Sequence, residues 1–375
     1  MEETMQPFIK WPGGKQEELK VIIPNIPVSI NRYIEPFVGG GAVFFAVTDT
    51  EAQDFYINDK STELIALYEN IREQNEEFFY RLRAISQNWS LLEEIVENYS
   101  NMFIRNYKAF SRGHMTDIEF NDFIMSFIVH NTEAFNGLLE TDFNINLKNF
   151  IYELEKNLRN KTRRMKKIES EKGELTDPDI LDNIECAFKS GFYMHFRHLY
   201  NNIEKYHISK PFSSAIFYFI REHCYSSMFR YNKAGGFNVP YGGISYNRKN
   251  FRSKIERLAD PELISKLRRA TIYSIDFEDF LNRVEPRKGD FIFLDPPYDS
   301  DFSTYAKNTF DHDDQKRLAN YLKNTEADFM VIIKNTNFIY SLYQGFSIQS
   351  FDKKYLVSFQ DRNNKNAEHL IITNY

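Results

Sequence analysis

The stretch FIFLDPPYDSD, residues 291–301, places an acid, two prolines and an aromatic directly after four apolar residues. Phe291–Leu294 reads as a short buried strand. Proline disfavours the helical region for the residue before it and brings no N–H to a sheet ladder, so the strand has to end at Asp295. The Asp295 carboxylate, a backbone carbonyl of the Pro296-Pro297 pair and the flat ring of Tyr298 are then left at its carboxyl end. Two acceptors beside a stacking surface suit the exocyclic amine of adenine, which has two donors on a flat ring and a lone pair withdrawn into it. Acceptors on both hydrogens return the lone pair to nitrogen and stabilise the positive charge that grows as a methyl group arrives. The alternative is a plain strand-ending turn.

A second set of residues fits a nucleoside. Gly39-Gly40-Gly41 follows the strand pattern YIEPF and precedes a helical pattern, so backbone can pass close to a ligand and aim amide N–H groups at it. Phe44 occupies the third glycine position of a dinucleotide fingerprint, and no strand-borne phosphate loop is present. Asp59, 18 residues past Gly41, is spaced to hold both hydroxyls of a ribose, with a helix N-cap as its alternative. In the N-terminal FIKWPGGKQ, Gln16 stands where a phosphate loop would need Ser or Thr. Trp11 over a cofactor, with Lys15 at its carboxylate, is the more economical reading. Asp276 and Phe277 can meet an adenine ring through a carboxylate and a backbone N–H, or form a cap or core pair. His195 and His198 lack a third metal ligand and read as surface residues, so no metal site is expected.

A sheet must position these groups. Residues 33–70 read as strand, glycine turn, helix, strand and helix, a βαβ unit of doubly wound type. ATIYSIDF, DFIFLD and DFMVIIKN return as buried strands, and FSIQSFD, KYLVSF and EHLIITNY are candidates to close the sheet edge. Between them, residues 71–220 are helical and heavily charged, with a helix start at Thr176-Asp177-Pro178. Residues 223–250 suggest loops with a β-hairpin. The expected organisation is a first part of a catalytic α/β domain at 1–80, a helical insert and recognition domain at 81–270, and the second catalytic part at 271–375. Ligands of such sheets sit beyond the strands' carboxyl ends, where strand order reverses.

The chain of 375 residues carries a net charge of −6, which argues against a protein that coats nucleic acid over its whole surface. The window His223–Ile255 nevertheless has six Lys and Arg and no acid, leaving −12 for the rest. It also interleaves Tyr225, Phe229, Tyr231, Phe237, Tyr241, Tyr246 and Phe251, and cations with flat rings suit a nucleic acid. The run Lys161, Arg163, Arg164, Lys166 and Lys167 reads as a solvated helix face instead. Cys186 and Cys224 are far apart, so neither a disulfide framework nor a thiolate metal site is expected. There is no run of 18 apolar residues and no signal-like start, so the expectation is a cytoplasmic protein with no membrane partner.

With these residues in hand, the chain resembles the DNA adenine N6-methyltransferases of the Dam type. The matching stretches are FIKWPGGK, EPFVGGGAVFF, the Asn-Asp pair ending at Asp59, RYNKAGGFNVPYG, DPPY and the terminal EHLIITNY, in the family's order. They cover about residues 5–80 and 190–375 and leave roughly 85–188 unmatched.

The resemblance implies a Rossmann-like methyltransferase sheet with helices on both faces, plus a mostly helical recognition region. It implies S-adenosylmethionine held by Trp11, Pro12, Gly13, Lys15, Glu35, Phe37, Gly39, Gly40, Asp59, Asp276, Phe277 and Asp295. Asp295, Pro296, Pro297 and Tyr298 would act on an adenine flipped out of double-stranded DNA, by direct displacement without a metal. Lys10, Tyr225, Met228, Arg230, Asn232, Lys233 and Pro240 fall on DNA-contacting positions, with Arg230 suited to a guanine edge. A cognate restriction enzyme in the same system is an implied, not required, partner. Three departures stand out: Glu35 replaces the commoner Asp, Ser226 replaces an asparagine, and Gly243 stands where a base-reading arginine is usual, which leaves the recognised sequence open. Competing readings are an RNA or protein-amide methyltransferase of the same chemistry, and a DNA-binding regulator with an inactive cofactor pocket. The mechanism would fail if Asp295 turned away from the crevice, or were buried against a permanent cation.

Overall fold

The computed structural model describes residues 5–48, 52–131, 145–228, 230–297, 310–354 and 366–375. The chain divides into two compact units. One comprises Met1–Glu73, Phe229–Tyr231 and Leu258–Tyr375, the other Gln74–Met228 and Asn232–Arg257.

The first unit is built on a sheet of seven strands. They are β1 Ile30–Glu35, β2 Ala52–Asn58, β3 Ala270–Tyr273, β4 Phe291–Leu294, β5 Asp328–Lys334, β6 Ser347–Lys354 and β7 Asn366–Thr373. Their order is β3-β2-β1-β4-β5-β7-β6. All pairings are parallel except those of β7, which runs antiparallel to β5 and to β6. β4 is short and buried at every residue, as a central parallel strand covered on both faces should be. Alternate residues Ile292 and Leu294 of β4, Phe329, Val331 and Ile333 of β5, and Leu370 and Ile372 of β7 share one core with Phe277, Phe280, Leu281, Leu318 and Leu322. Those last five lie on the helices Phe277–Val284 and His312–Lys323. Strand order reverses between β1 and β4, so the carboxyl ends of these strands define the crevice. KYLVSF, apart from Lys354 at the end of β6, lies outside the described residues.

The second unit is helical: Glu76–Asn98, Ser100–Ser111, Asp117–His130, Leu147–Lys172, Asp177–Tyr200 and Lys210–His223. Thr176 caps Asp177–Tyr200, accepting from the Asp179 N–H, with Pro178 in the first turn. Trp89 sits at its centre, ringed by Phe192, Phe219 and Tyr241. Where the sequence suggested a hairpin, Cys224 and Tyr241 form one antiparallel bridge and Asn232 closes a turn onto Gly236. Among the described residues no helix is long and apolar enough to cross a membrane.

One sequence reading is corrected by the structure. His195 is not a surface residue: it is buried against Phe150 and Phe196, and burial pushes its pKa down to about 3. Its Nδ1 meets Asn149, while His198 Nε2 meets Tyr206, so the two imidazoles serve separate contacts. The basic run 161–167 is largely the solvated face that its charge suggested, with Arg163, Arg164 and Lys167 exposed. Arg163 pairs with Asp117 and Lys166 donates to the Phe110 carbonyl while covering its ring, which braces neighbouring helices.

Candidate active site

The glycine turn after β1 is shaped by what packs on it. A Cβ on Gly39 would lie 2.8 Å from Trp11 Cδ1, and one on Gly40 would lie 3.1 Å from the Ile9 carbonyl oxygen. Gly39 also has φ +50°, in the left-handed region. The N-terminal segment is held down from both sides, because Phe8 is buried against Phe45 and Tyr68 while Trp11 lies on the glycines. Tyr68 OH closes the arrangement by donating to the Gly39 carbonyl at 3.0 Å. Lys10, Pro12 and Gly13 stay exposed, with Gly13 at φ +78° in a turn closed by the Gly14 N–H on the Trp11 carbonyl.

Acids gather at the strand ends. Glu35, the last residue of β1, is buried and accepts from Tyr33 OH at 2.8 Å. Tyr33 stands two residues earlier on the same strand face. Desolvation raises the Glu35 pKa well above the usual range, the Tyr33 hydrogen bond opposes this, and the nearby charges of Asp295 and Asp59 add to it. Asp59 accepts from the Gly39 N–H at 3.0 Å and the Ser61 N–H at 2.8 Å. Burial raises its pKa to about 6 against those two hydrogen bonds. Asp59 is therefore no plain helix cap: Ser61 caps Thr62–Arg72, leaving Asp59 to tie the glycine turn to the helix start.

The Asp295 side chain is part-exposed at 18%, and its carboxylate is paired with Lys15, whose side chain is 2% exposed and whose ammonium also donates to the Gly13 carbonyl at 2.8 Å. The sequence reading placed Lys15 at a cofactor carboxylate; here it bridges the N-terminal turn to the end of β4. A cation on Asp295 weakens it as an acceptor, while its exposure leaves it open to a ligand. Burial against a permanent cation, which would defeat the mechanism, is met only in part: the cation is present, but the Asp295 side chain keeps 18% exposure. Pro296 is buried, Pro297 exposed, and Tyr298 lies outside the described residues. Asp276 caps the helix Phe277–Val284 through its Oδ1, and Phe277 stacks near Phe37 with ring centres 5.6 Å apart.

Several residues that position this site were not legible beforehand. Asn58, buried at the end of β2, donates to the carbonyls of Pro36 and Ile275 at 3.0 and 3.1 Å and accepts from the Ile275 N–H at 3.0 Å. One amide thus clamps the exits of β1, β2 and β3. Gln315, fully buried, donates to the Pro297 carbonyl at 3.0 Å and fixes the proline turn. Arg317 binds Asp276.

In the helical unit, the window 223–255 divides into core and surface. Phe237, Tyr241 and Phe251 are buried, so these rings pack the fold and are not free for bases, whereas Tyr225 is half exposed. The Tyr225 N–H meets the Pro240 carbonyl at 2.9 Å, bringing those two positions together. Ser226 and Ser227 both have positive φ, a conformation in which asparagine is more at ease than serine. Gly243 has φ +87° and ψ −164°, a backbone region reserved for glycine, so an arginine there would be strained. Asn232 spends its side-chain oxygen on the N–H groups of Ala234 and Gly236, which makes it a turn former. Lys233 is exposed and Met228 part-buried, and Arg230, which belongs to the sheet unit, is exposed as well.

One face of the helix Asp177–Tyr200 and its cap holds this loop. Lys189 donates to the Asn247 carbonyl, Tyr193 and Arg197 to the Val239 carbonyl, and Asn201 exchanges two hydrogen bonds with Phe237. Their spacing of four is a signal readable in the sequence: positions i, i+4 and i+8 share a helix face.

The profile of the D12 class N6 adenine-specific DNA methyltransferases matches residues 11–187 and 142–357. The chain is 27% identical to the Type II methyltransferase M.CviBI of Paramecium bursaria Chlorella virus NC1A, across 99% of this chain and 100% of that one. It is 26% identical to the Type II methyltransferase M.MjaIII of Methanocaldococcus jannaschii, over 99% of each. It is also 31% identical to the Retron Ec67 DNA adenine methylase of Escherichia coli, over 50% of this chain and 63% of that protein. The first two alignments run through residues 85–188, which the sequence motifs had left unmatched. With the match extending over most of its length, the chain belongs to the D12 class of N6 adenine-specific DNA methyltransferases and is an enzyme of that kind.

Proposed function

We propose that the chain transfers the methyl group of S-adenosylmethionine to N6 of an adenine flipped out of double-stranded DNA. The observation that carries this is the convergence of Glu35, Asp59, Asp276 and Asp295 on the carboxyl ends of β1 to β4, at the reversal of strand order. The donor set fits a cationic nucleoside cofactor. Glu35, buried, and Asp59, part-buried, are carboxyl groups that take hydrogen bonds from Tyr33 and backbone N–H groups, and from no cation among the described residues. A bound ammonium would offset the cost of ionising Glu35 there.

In this reading Glu35 holds the cofactor's amine and Asp59 its ribose, Asp276 and Phe277 meet its adenine, and Trp11 lines the turn. Lys15, on Asp295 in this structure, turns to the cofactor's carboxylate and releases Asp295. When bound, the cofactor supplies a sulfonium-activated methyl. Asp295 and a carbonyl of the proline turn, oriented by Gln315, accept from the target amine; Tyr298 provides the stacking that an extruded base loses. Residues 1–80 and 271–375 serve as the two catalytic parts and residues 81–270 carry target recognition. Tyr225, Met228, Lys233 and Pro240 serve as DNA contacts on the loop that the face of Asp177–Tyr200 fixes, and Lys10 and Arg230 are DNA contacts of the sheet unit. The Type II names of the full-length relatives support a role in a restriction-modification system. Incubating duplex DNA with the protein and S-adenosylmethionine, then sequencing for N6-methyladenine, tests the activity and reveals the recognition site. Unmodified adenine throughout would overturn the proposal.

A further inference from the structure

The helix His312–Lys323 places Arg317 against the start of Phe277–Val284. Its guanidinium donates to Asp276 Oδ1 at 2.7 Å, Glu278 Oε2 at 2.8 Å and Asp314 Oδ1 at 2.7 Å. Its central carbon also lies 4.8 Å from the centre of the Phe277 ring. One cation thus organises three carboxylates and covers an aromatic face, a task suited to the planar fork of arginine and not to the point charge of lysine. The Glu278 N–H reaches the same Asp276 oxygen at 3.0 Å. Both constraints act on Oδ1, and Oδ2 accepts no hydrogen bond among the described residues, on a side chain that is 25% exposed.

We propose that Arg317 is a positioning residue for the cofactor: by binding Oδ1 of Asp276 and covering Phe277, it fixes the orientation in which Oδ2 accepts from the exocyclic amine of the cofactor's adenine. The inference rests on the reading of Asp276 and Phe277 as the adenine-binding pair. The electrostatics agree. Desolvation disfavours the Asp276 anion, but hydrogen bonds from Arg317 and the Glu278 backbone outweigh it and hold the pKa below the usual range. The carboxylate therefore stays an acceptor at neutral pH. Without Arg317, three acids would crowd one another with no shared cation, and Asp276 would lose its fixed rotamer.

The test compares adenosine with purine riboside, which lacks the 6-amino group, as competitors of S-adenosylmethionine on the full-length protein. A merely structural role would weaken both competitors alike; a role in orienting Oδ2 acts on the amine alone. Wild type should prefer adenosine by about tenfold or more, the worth of a hydrogen bond to a charged group. Arg317→Ala should bring that preference to within about twofold, with Arg317→Lys between. If Arg317→Ala fails to fold on melting, Arg317→Lys decides, and a preference equal to wild type overturns the inference. Asp276→Ala separates the two layers. Should it leave the preference intact, the adenine-binding reading itself is wrong; should it abolish the preference while the Arg317 variants retain it, only the role of Arg317 falls.

Discussion

Replacing Asn58 by alanine should loosen the sheet where the site is assembled. The side chain makes three hydrogen bonds, two to carbonyls and one from an N–H, and is 1% exposed. Alanine removes all three and leaves the Pro36 carbonyl and both Ile275 backbone groups short of a partner. At about 1 kcal/mol net per bond, rising where a buried group is stranded, the loss comes to about 3 kcal/mol or more. A folded body of roughly 150–250 residues shifts its melting temperature by about 2–4 °C per kcal/mol, so the sheet unit should melt roughly 6–12 °C earlier. Cofactor affinity should fall with it, since the glycine turn, Asp59 and Asp276 all follow the strand ends that Asn58 ties together. Calorimetric melting and titration with S-adenosylmethionine measure the two effects. A melting shift below about 3 °C, with affinity unchanged, would refute the clamp.

Two further expectations concern the same crevice. Gly39→Ala meets both a left-handed backbone and the Trp11 ring, whereas Gly13→Ala meets only the backbone, since nothing lies within 4 Å of its added Cβ. Each bears the strain of about 1 kcal/mol, and urea unfolding should show Gly39→Ala the more destabilised, with a changed tryptophan fluorescence; equal losses would mean that Trp11 does not rest on the turn. Asp59, with its pKa raised from 3.8 to about 6 by burial, keeps its proton in the folded chain where the unfolded chain loses it. Its contribution to stability is therefore greatest below about pH 4, declines as pH rises through the window to about 6, and by neutral pH has changed by about 3 kcal/mol. Asp59→Asn does not titrate, so without cofactor the wild type should lose that much relative to the variant between pH 4 and 7. Parallel pH profiles would show that Asp59 is not so perturbed.

The strands were legible because burial on both faces leaves unbroken apolar runs, as in DFIFLD and DFMVIIKN, and the helix at Asp177 because Thr176 and Pro178 announce it locally. What could not be read is what depends on partners far along the chain. Lys15 and Asp295 are 280 residues apart and Asn58 and Ile275 217, and neither pairing leaves a trace in local periodicity. His195 was misread for the related reason that one histidine on a charged helix looks exposed until its neighbours Phe150 and Phe196 are in place. The aromatics of 223–255 misled in the other direction, because composition does not separate Phe237, Tyr241 and Phe251, which fill the helical core, from Tyr225, which faces out. Motif order succeeded where periodicity was silent, since Asp295 with its two prolines and the triple glycine each mark a strand end by backbone constraint alone.

The role of the Asp295 carboxylate is tested most directly by methyl transfer to duplex DNA in a single turnover, comparing wild type with Asp295→Ala. Because that change strands the buried Lys15 ammonium, the double variant Lys15→Met/Asp295→Ala is measured beside it, with melting curves to establish that both are folded. The expected result is transfer reduced at least about a hundredfold in both, with duplex binding retained. Folded Asp295→Ala that still methylates adenine within about tenfold of the wild-type rate would contradict the account.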